Sequence, residues 1–137
     1  NGAPIEPIKP GQSGRTKWYA DPSLRQDPAF SRYAERFDVR FVGGAVVNAL
    51  ELLTEPNSVY VKAPKTALGG CAIWDLAAVS LMVLELGGNA LAYDGSPLSL
   101  NRPESLFFND VGFALTSADV DAQTLLAEAR GLVASGS

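Results

Sequence analysis

Three groups of residues in this sequence could do chemistry. Asp75 stands behind Trp74 at the start of an apolar run, IWDLAAVSLMVLEL. A carboxylate there is costly to bury unless it is paired, capped or metal-bound. It either favours the positive end of its helix, an effect of about 0.3–1 kcal/mol, or offers oxygen to a hard cation such as Mg²⁺. Gly43-Gly44-Ala45 lies where a strand turns into a helix. Glycines there let a phosphate or hydroxyl approach the backbone N–H groups, although a tight connection alone would explain them. The turn has neither the Lys-Ser/Thr ending of a P-loop nor the third glycine of a dinucleotide fingerprint. Lys62 and Lys65 fall at and just beyond a strand end. Ligands of α/β domains collect at the carboxyl ends of strands, while lysines in such places are also commonly just solvated.

Composition narrows the chemistry. The 137 residues include no histidine and a single cysteine, Cys71. Ser-His-Asp and Cys-His nucleophiles and zinc clusters are therefore excluded. Catalysis would have to run on carboxylates, lysines, hydroxyls or a bound metal. A lone cysteine makes no internal disulfide, which fits a reducing, cytoplasmic setting. The net charge of -4 and the lack of a basic run argue against a nucleic-acid polymer as partner. The stretch from Ala72 to Leu86 contains Asp75 and Glu85 and is too short to cross a bilayer, so no membrane partner is expected.

The elements that must position these residues read as follows. Residues 1–15, rich in Gly and Pro, form an extended lead-in, and residues 16–137 form a single α/β domain. Thr16–Ala20 is a strand stopped by Asp21-Pro22. Asp27-Pro28 opens an amphipathic helix of about three turns through Phe30, Tyr33, Ala34 and Phe37. Asp38–Val42 is a strand and Ala45–Leu53 a helix. Ser58–Lys62 is a strand feeding a loop with Pro64 and Gly69-Gly70. Ile73–Leu86, apolar almost all round, predicts a helix buried on more than one side, ended by Gly87-Gly88. Asn89–Tyr93 is a strand with a turn at Asp94-Gly95, and Val111–Thr116 is another. Ser117 or Asp119 caps a last helix with Leu125, Leu126, Ala129, Leu132 and Val133 on one face. Strands alternating with helices predict a layered α/β fold with a mixed or mostly parallel sheet flanked by helices.

Taken together, VGGAVVNALELL, VYVK and IWDLAAVSLMVLELGGNALAYDGSPL resemble the C-terminal signature of the inositol monophosphatase superfamily. The residues that carry the likeness are Gly43, Gly44 and Ala45, then Tyr60, then Trp74, Asp75, Ala77 and Ala78. Glu85, Gly87 and Gly88 follow, then Gly95, Pro97 and Leu98. The strong resemblance spans residues 42–98, and the tail NRPESLFFNDVGFALTS is similar to that of the bacterial bisphosphate nucleotidases.

The resemblance implies the C-terminal half of a sugar-phosphatase fold and a Mg²⁺-dependent phosphomonoesterase acting on a small phosphorylated metabolite. It makes Asp75 a metal ligand and catalytic residue and Gly43–Ala45 a substrate-lining turn. Lys62 stands where inositol-reading relatives carry a glutamate; with Lys65 and the long loop before Trp74 it implies a second anionic group, as on a 3′(2′),5′-bisphosphorylated nucleotide. An inositol or sugar monophosphatase is the alternative within the class, and a non-catalytic binding or scaffold module the alternative outside it. The Gly-Glu-Glu and Asp-Pro-Leu/Ile-Asp-Gly segments that hold the superfamily's other metal ligands do not occur here. Activity is therefore expected to need an N-terminal half, on another chain or a removed segment; a homo-oligomer is a further possibility.

Overall fold

The computed structural model describes residues 2–4, 14–67 and 70–135. Most of the lead-in expected over 1–15 falls outside them. The elements are β1 (Lys17–Tyr19), a 3-10 turn (Pro22–Gln26), α1 (Phe30–Arg36), β2 (Asp38–Arg40), α2 (Ala45–Glu51), β3 (Ser58–Lys62), α3 (Ile73–Glu85), β4 (Asn89–Ala92), β5 (Phe113–Thr116) and α4 (Ala122–Ala134). The strands form one mixed sheet in the order β2-β1-β3-β5-β4. β1 pairs in parallel with β2 and β3, whereas β5 runs antiparallel to both of its neighbours, β3 and β4.

Alternation along the strands sorts the core into two layers, because successive side chains point to opposite faces. Trp18, Val59, Val61 and Ala114 meet Tyr33 and Phe37 at α1 and Leu125, Leu126 and Ala129 of α4. Tyr19, Tyr60, Phe113 and Leu115 meet Ala49 of α2 and Leu76, Val79 and Val83 of α3. The expected layered α/β fold is present, with helices on both faces. Trp18 anchors one layer with ring centroids 5.0 Å from Tyr33 and 4.8 Å from Phe37. Tyr60 meets Phe113 edge-on at 5.2 Å in the other. Burying each such side chain contributes about 1.5–3 kcal/mol.

Element ends follow local chemistry. α3 stops in a Schellman arrangement, in which the Gly88 N–H donates to Val83 O at 2.9 Å and the Gly87 N–H to Leu84 O at 3.0 Å. Gly87 sits at φ 82°, where a side chain would be strained.

Three expectations need correcting. α1 has seven residues and leaves Ala34 exposed, because Phe37 is already extended on the way to pairing β2 with β1. α4 is capped by Asp121, whose Oδ1 accepts the Thr124 N–H at 3.1 Å, and not by Ser117 or Asp119. Those two instead tie β5 to the start of β3: the Ser117 hydroxyl accepts the Ser58 N–H and the Asp119 carboxylate accepts the Asn57 N–H. Finally, α3 is buried on one side only, through Leu76, Val79, Ser80 and Val83. Trp74, Leu81, Met82 and Leu84 are exposed. The sheet covers one face of the helix, and its apolar periphery extends beyond what the sheet and α2 can cover.

Candidate functional site

The carboxyl ends of β1, β2 and β3 lie together at one edge of the sheet, and the chain leaving each brings a polar group there. After β1 comes Asp21, after β2 the Gly43–Ala45 turn into α2, and β3 ends on Lys62. Asp21 is the hub. Its Oδ2 lies 2.7 Å from Lys62 Nζ. Its Oδ1 accepts hydrogen bonds from Asn48 Nδ2 at 3.1 Å and from the Tyr60 hydroxyl at 3.2 Å. The same Asn48 amide donates to Gly43 O at 3.1 Å. A continuous polar path thus runs from the glycine turn through Asn48 and Asp21 to Lys62.

Half of this network is shut away from water. Asn48 and Tyr60 are fully buried, and Asn48 Oδ1 has no partner among the described residues. Burial pushes the Tyr60 phenol well above its ordinary value, and the Asp21 charge beside it acts in the same direction. Tyr60 is therefore a neutral donor at any physiological pH. The turn itself is tight at Gly43, where a Cβ would come within 2.9 Å of the Val47 side chain, and open at Gly44.

Lys62 and Lys65 line a cleft of about 200 Å³ together with Ser23, Gly70, Cys71 and Asn109. Lys65 is exposed and makes no ion pair among the described residues; its N–H donates to Asn109 O at 2.6 Å. Cys71 forms the buried floor. Its thiol is pushed up to about 12, chiefly by burial, with Lys62 opposing and Asp75 and Asp21 adding to the rise. The charges of Lys62, Asp75 and Asp21 therefore all act on one buried sulfur.

Asp75 is half-buried in the first turn of α3. Its Oδ2 accepts the Ala72 N–H at 2.9 Å, the side-chain half of a capping box. Asp75 thus performs the capping role, which occupies one of its oxygens. Neither Asp75 nor Gly43, Gly44 or Ala45 lines the cleft that Lys62 and Lys65 share. Among the described residues no three His, Cys, Asp or Glu side chains come together in a way that could hold a metal ion. With Asp21 committed to Lys62 and Asp75 half-committed to its helix, this chain's own residues do not fit a Mg²⁺ centre by themselves.

Asp21 and Asn48 were not among the sequence candidates. Asp21-Pro22 reads as a strand stop, and Asn48 falls within the helix expected over Ala45–Leu53 with no role assigned to it. The available signal was an amide at a helix position otherwise patterned for burial, which predicts a buried partner.

Solved structures share this architecture. A staphylococcal IMPase-II matches with a TM-score of 0.68 at 15% identity, over 97% of this chain and 52% of that one. The Thermotoga maritima IMPase matches with a TM-score of 0.67 at 16% identity, over 100% of this chain and 49% of that one. A fructose-1,6-bisphosphatase of Leishmania major in its T-state matches at 0.57 and 16% identity, over 85% and 39%. The fold is that of the inositol monophosphatase and fructose bisphosphatase structures. The chain spans about half the length of the two IMPases and 39% of the bisphosphatase. No protein-family model and no curated protein matches the sequence. No helix of the described residues is long and apolar enough to cross a membrane.

Proposed function

We propose that this chain supplies the C-terminal half of a Mg²⁺-dependent phosphatase that hydrolyses a phosphomonoester of a small metabolite. The observation that carries the reading is the match of nearly the whole chain to about half of several phosphatase structures. The polar cluster at the carboxyl ends of its parallel strands supports it. In this reading Asp75 is one metal ligand, through the oxygen that does not cap α3, and the remaining carboxylates come from an N-terminal half. Gly43–Ala45 lines the substrate. Lys62 and Lys65 bias the cleft toward an anionic group beside the scissile phosphate, as on a 3′(2′),5′-bisphosphorylated nucleotide.

One observation favours the second reading, an inositol or sugar monophosphatase. Asp21 already neutralises Lys62, and a compensated ion pair presents both a donor and an acceptor to neutral hydroxyls. Inorganic phosphate release separates the two readings. The chain is assayed with its N-terminal half, at one Mg²⁺ concentration, on adenosine 3′,5′-bisphosphate and on an inositol monophosphate. Preference for the bisphosphate supports the first reading and preference for the inositol ester the second. Turnover of neither removes the phosphatase reading and leaves a binding module.

A further inference from the structure

We propose that a cavity on the α1 and α4 side of the sheet binds a small uncharged molecule through an amide group. The cavity measures about 40 Å³ and is lined by Trp18 of β1, Val61 of β3, Tyr33 of α1, Tyr93 just beyond β4, and Leu24 and Asp27. Trp18, Tyr33 and Val61 belong to the core layer that packs on α1 and α4, with Leu24 and Tyr93 against it. The cleft of Lys62 and Lys65 rests instead on Cys71, Phe108 and Phe113 of the other layer. The two spaces therefore lie on opposite faces of the sheet. They share only the rim of Ser23, Lys62, Ala63 and Lys65. The inference does not depend on the phosphatase reading.

Three observations select the ligand. Trp18 is 2% exposed, and its indole Nε1 has no hydrogen-bond partner among the described residues. An indole N–H can only donate, and a buried donor left unpaired is costly, so the ligand presents an acceptor. The charges of the lining cancel: Asp21 and Asp27 stand against Lys62 and Lys65, and Asp21 already holds Lys62 at 2.7 Å. Neither an anion nor a cation gains by entering. Asp27 gives one oxygen to the Ala29 N–H at 2.8 Å. Burial raises the Tyr33 and Tyr93 phenols, and the Asp27 charge adds to the rise of both, so neutral phenols and a carboxylate share the space. That carboxylate calls for a donor on the ligand. An acceptor and a donor without charge describe an amide. Size agrees, since a water needs about 10–15 Å³ and the cavity takes roughly three water-sized groups, the C, O and N of one amide. Aromatic walls with a few convergent polar groups are the usual make-up of a small-molecule pocket.

The two tryptophans make the test direct. Acetamide is titrated into the full, isotope-labelled chain while the two indole N–H resonances are followed by NMR, assigned with Trp74→Phe. Trp74 is 63% exposed and lies outside the cavity, so it reports any general solvent effect of the amide. The expected result is a saturable shift of the Trp18 resonance alone, with a dissociation constant on the order of millimolar, as so small a ligand allows. Acetate, the same shape with a charge, should bind about tenfold more weakly because Asp27 repels it. Trp18→Phe keeps the ring and removes the donor; saturation transfer to acetamide should show affinity reduced by about fivefold, one hydrogen bond's worth. Four results would overturn the inference: both indole resonances drifting together without saturation, no Trp18 shift at concentrations far above millimolar, acetate binding as tightly as acetamide, or undiminished affinity in Trp18→Phe. Should Trp18→Phe fail to fold, the half-buried Tyr93→Phe takes its place, with the Trp18 resonance as readout and undiminished affinity again the overturning result.

Discussion

Asp21 holds Lys62 at 2.7 Å, joining the second residue beyond β1 to the last residue of the strand beside it. The pair is partly buried and is supported by Asn48 and Tyr60 on the other carboxylate oxygen. Removing either member strands polar groups that have given up water. Asp21→Ala is expected to cost about 1–3 kcal/mol in urea unfolding. A double-mutant cycle with Lys62→Ala should return a coupling of about 1 kcal/mol, partial exposure keeping it near the range of surface pairs. A coupling of zero would mean that the contact holds no energy.

In the proposed function the same pair would set the affinity for an anion. In the complete assembly, Asp21→Asn frees the Lys62 charge while keeping an acceptor for Tyr60. Binding of adenosine 3′,5′-bisphosphate should tighten by about tenfold, one charge-assisted hydrogen bond's worth, and Lys62→Gln should abolish the gain. Isothermal titration calorimetry measures both. An Asp21→Asn variant with unchanged affinity would place the second phosphate elsewhere, with Lys65 the next candidate.

Asp75 separates into a structural and a chemical role through two substitutions. Asp75→Ala removes the acceptor for the Ala72 N–H and should lower stability by about 1 kcal/mol. Asp75→Asn retains an acceptor and should leave the thermal midpoint of the chain nearly unchanged. Joined to its N-terminal half, the Asn variant is expected to lose phosphate release almost completely. Wild-type turnover by Asp75→Asn would reduce Asp75 to its capping role.

The isolated chain should release no phosphate from either substrate at any Mg²⁺ concentration, since its described residues bring no cluster of carboxylates together. Mg²⁺-dependent turnover by the pure chain would refute the half-site reading.

Alkaline pH tests the core. Burial raises the Cys71 thiol from 9.0 to about 12 and raises the Tyr60 and Tyr33 phenols as well. These groups hold their protons more tightly folded than unfolded, so the unfolded chain releases protons first as pH rises. The Cys71 contribution is present in full below about pH 9 and is lost as pH climbs toward 12, at a slope on the order of 1 kcal/mol per pH unit. Urea midpoints at pH 7, 9 and 11 should fall across that window, less steeply in Cys71→Ala. At pH 8 a thiol reagent should label Cys71 only on unfolding.

Much of the fold was legible because it is written locally. Ser58–Lys62 reads as a β-rich strand and forms one, and Gly87-Gly88 ends α3 by supplying the left-handed turn its last carbonyls need. What misled was apolarity without an address. The run Ile73–Leu86 is hydrophobic all round, but composition does not tell which face the domain's own sheet covers and which it leaves exposed. The polar candidates at strand ends were legible from position alone. Asp21 and Asn48 were not, because their importance arises from the parallel pairing of β1 with β3 and from the packing of α2 above it, contacts between residues 27 and 39 positions apart. Ser117 and Asp119 show the same limit: each has the chemistry of a cap, and tertiary contacts with the start of β3 claimed both.

The place of β5 in the sheet has a consequence for synthesis. β4 leaves the ribosome before β5, yet in the sheet it touches only β5, which separates it from β3. Until Phe113–Thr116 emerges, β3 has an unpaired edge and β4 has no strand beside it, only the short bridge from Leu91 to Pro97. The earlier parallel strands can assemble as they appear, but the sheet closes late, when the newest strand threads between two older ones. That order leaves the growing chain with the edge of β3 open from residue 62 and β4 open as well from residue 92, both until residue 113, a window in which a chaperone, or another nascent copy, has the first opportunity to bind.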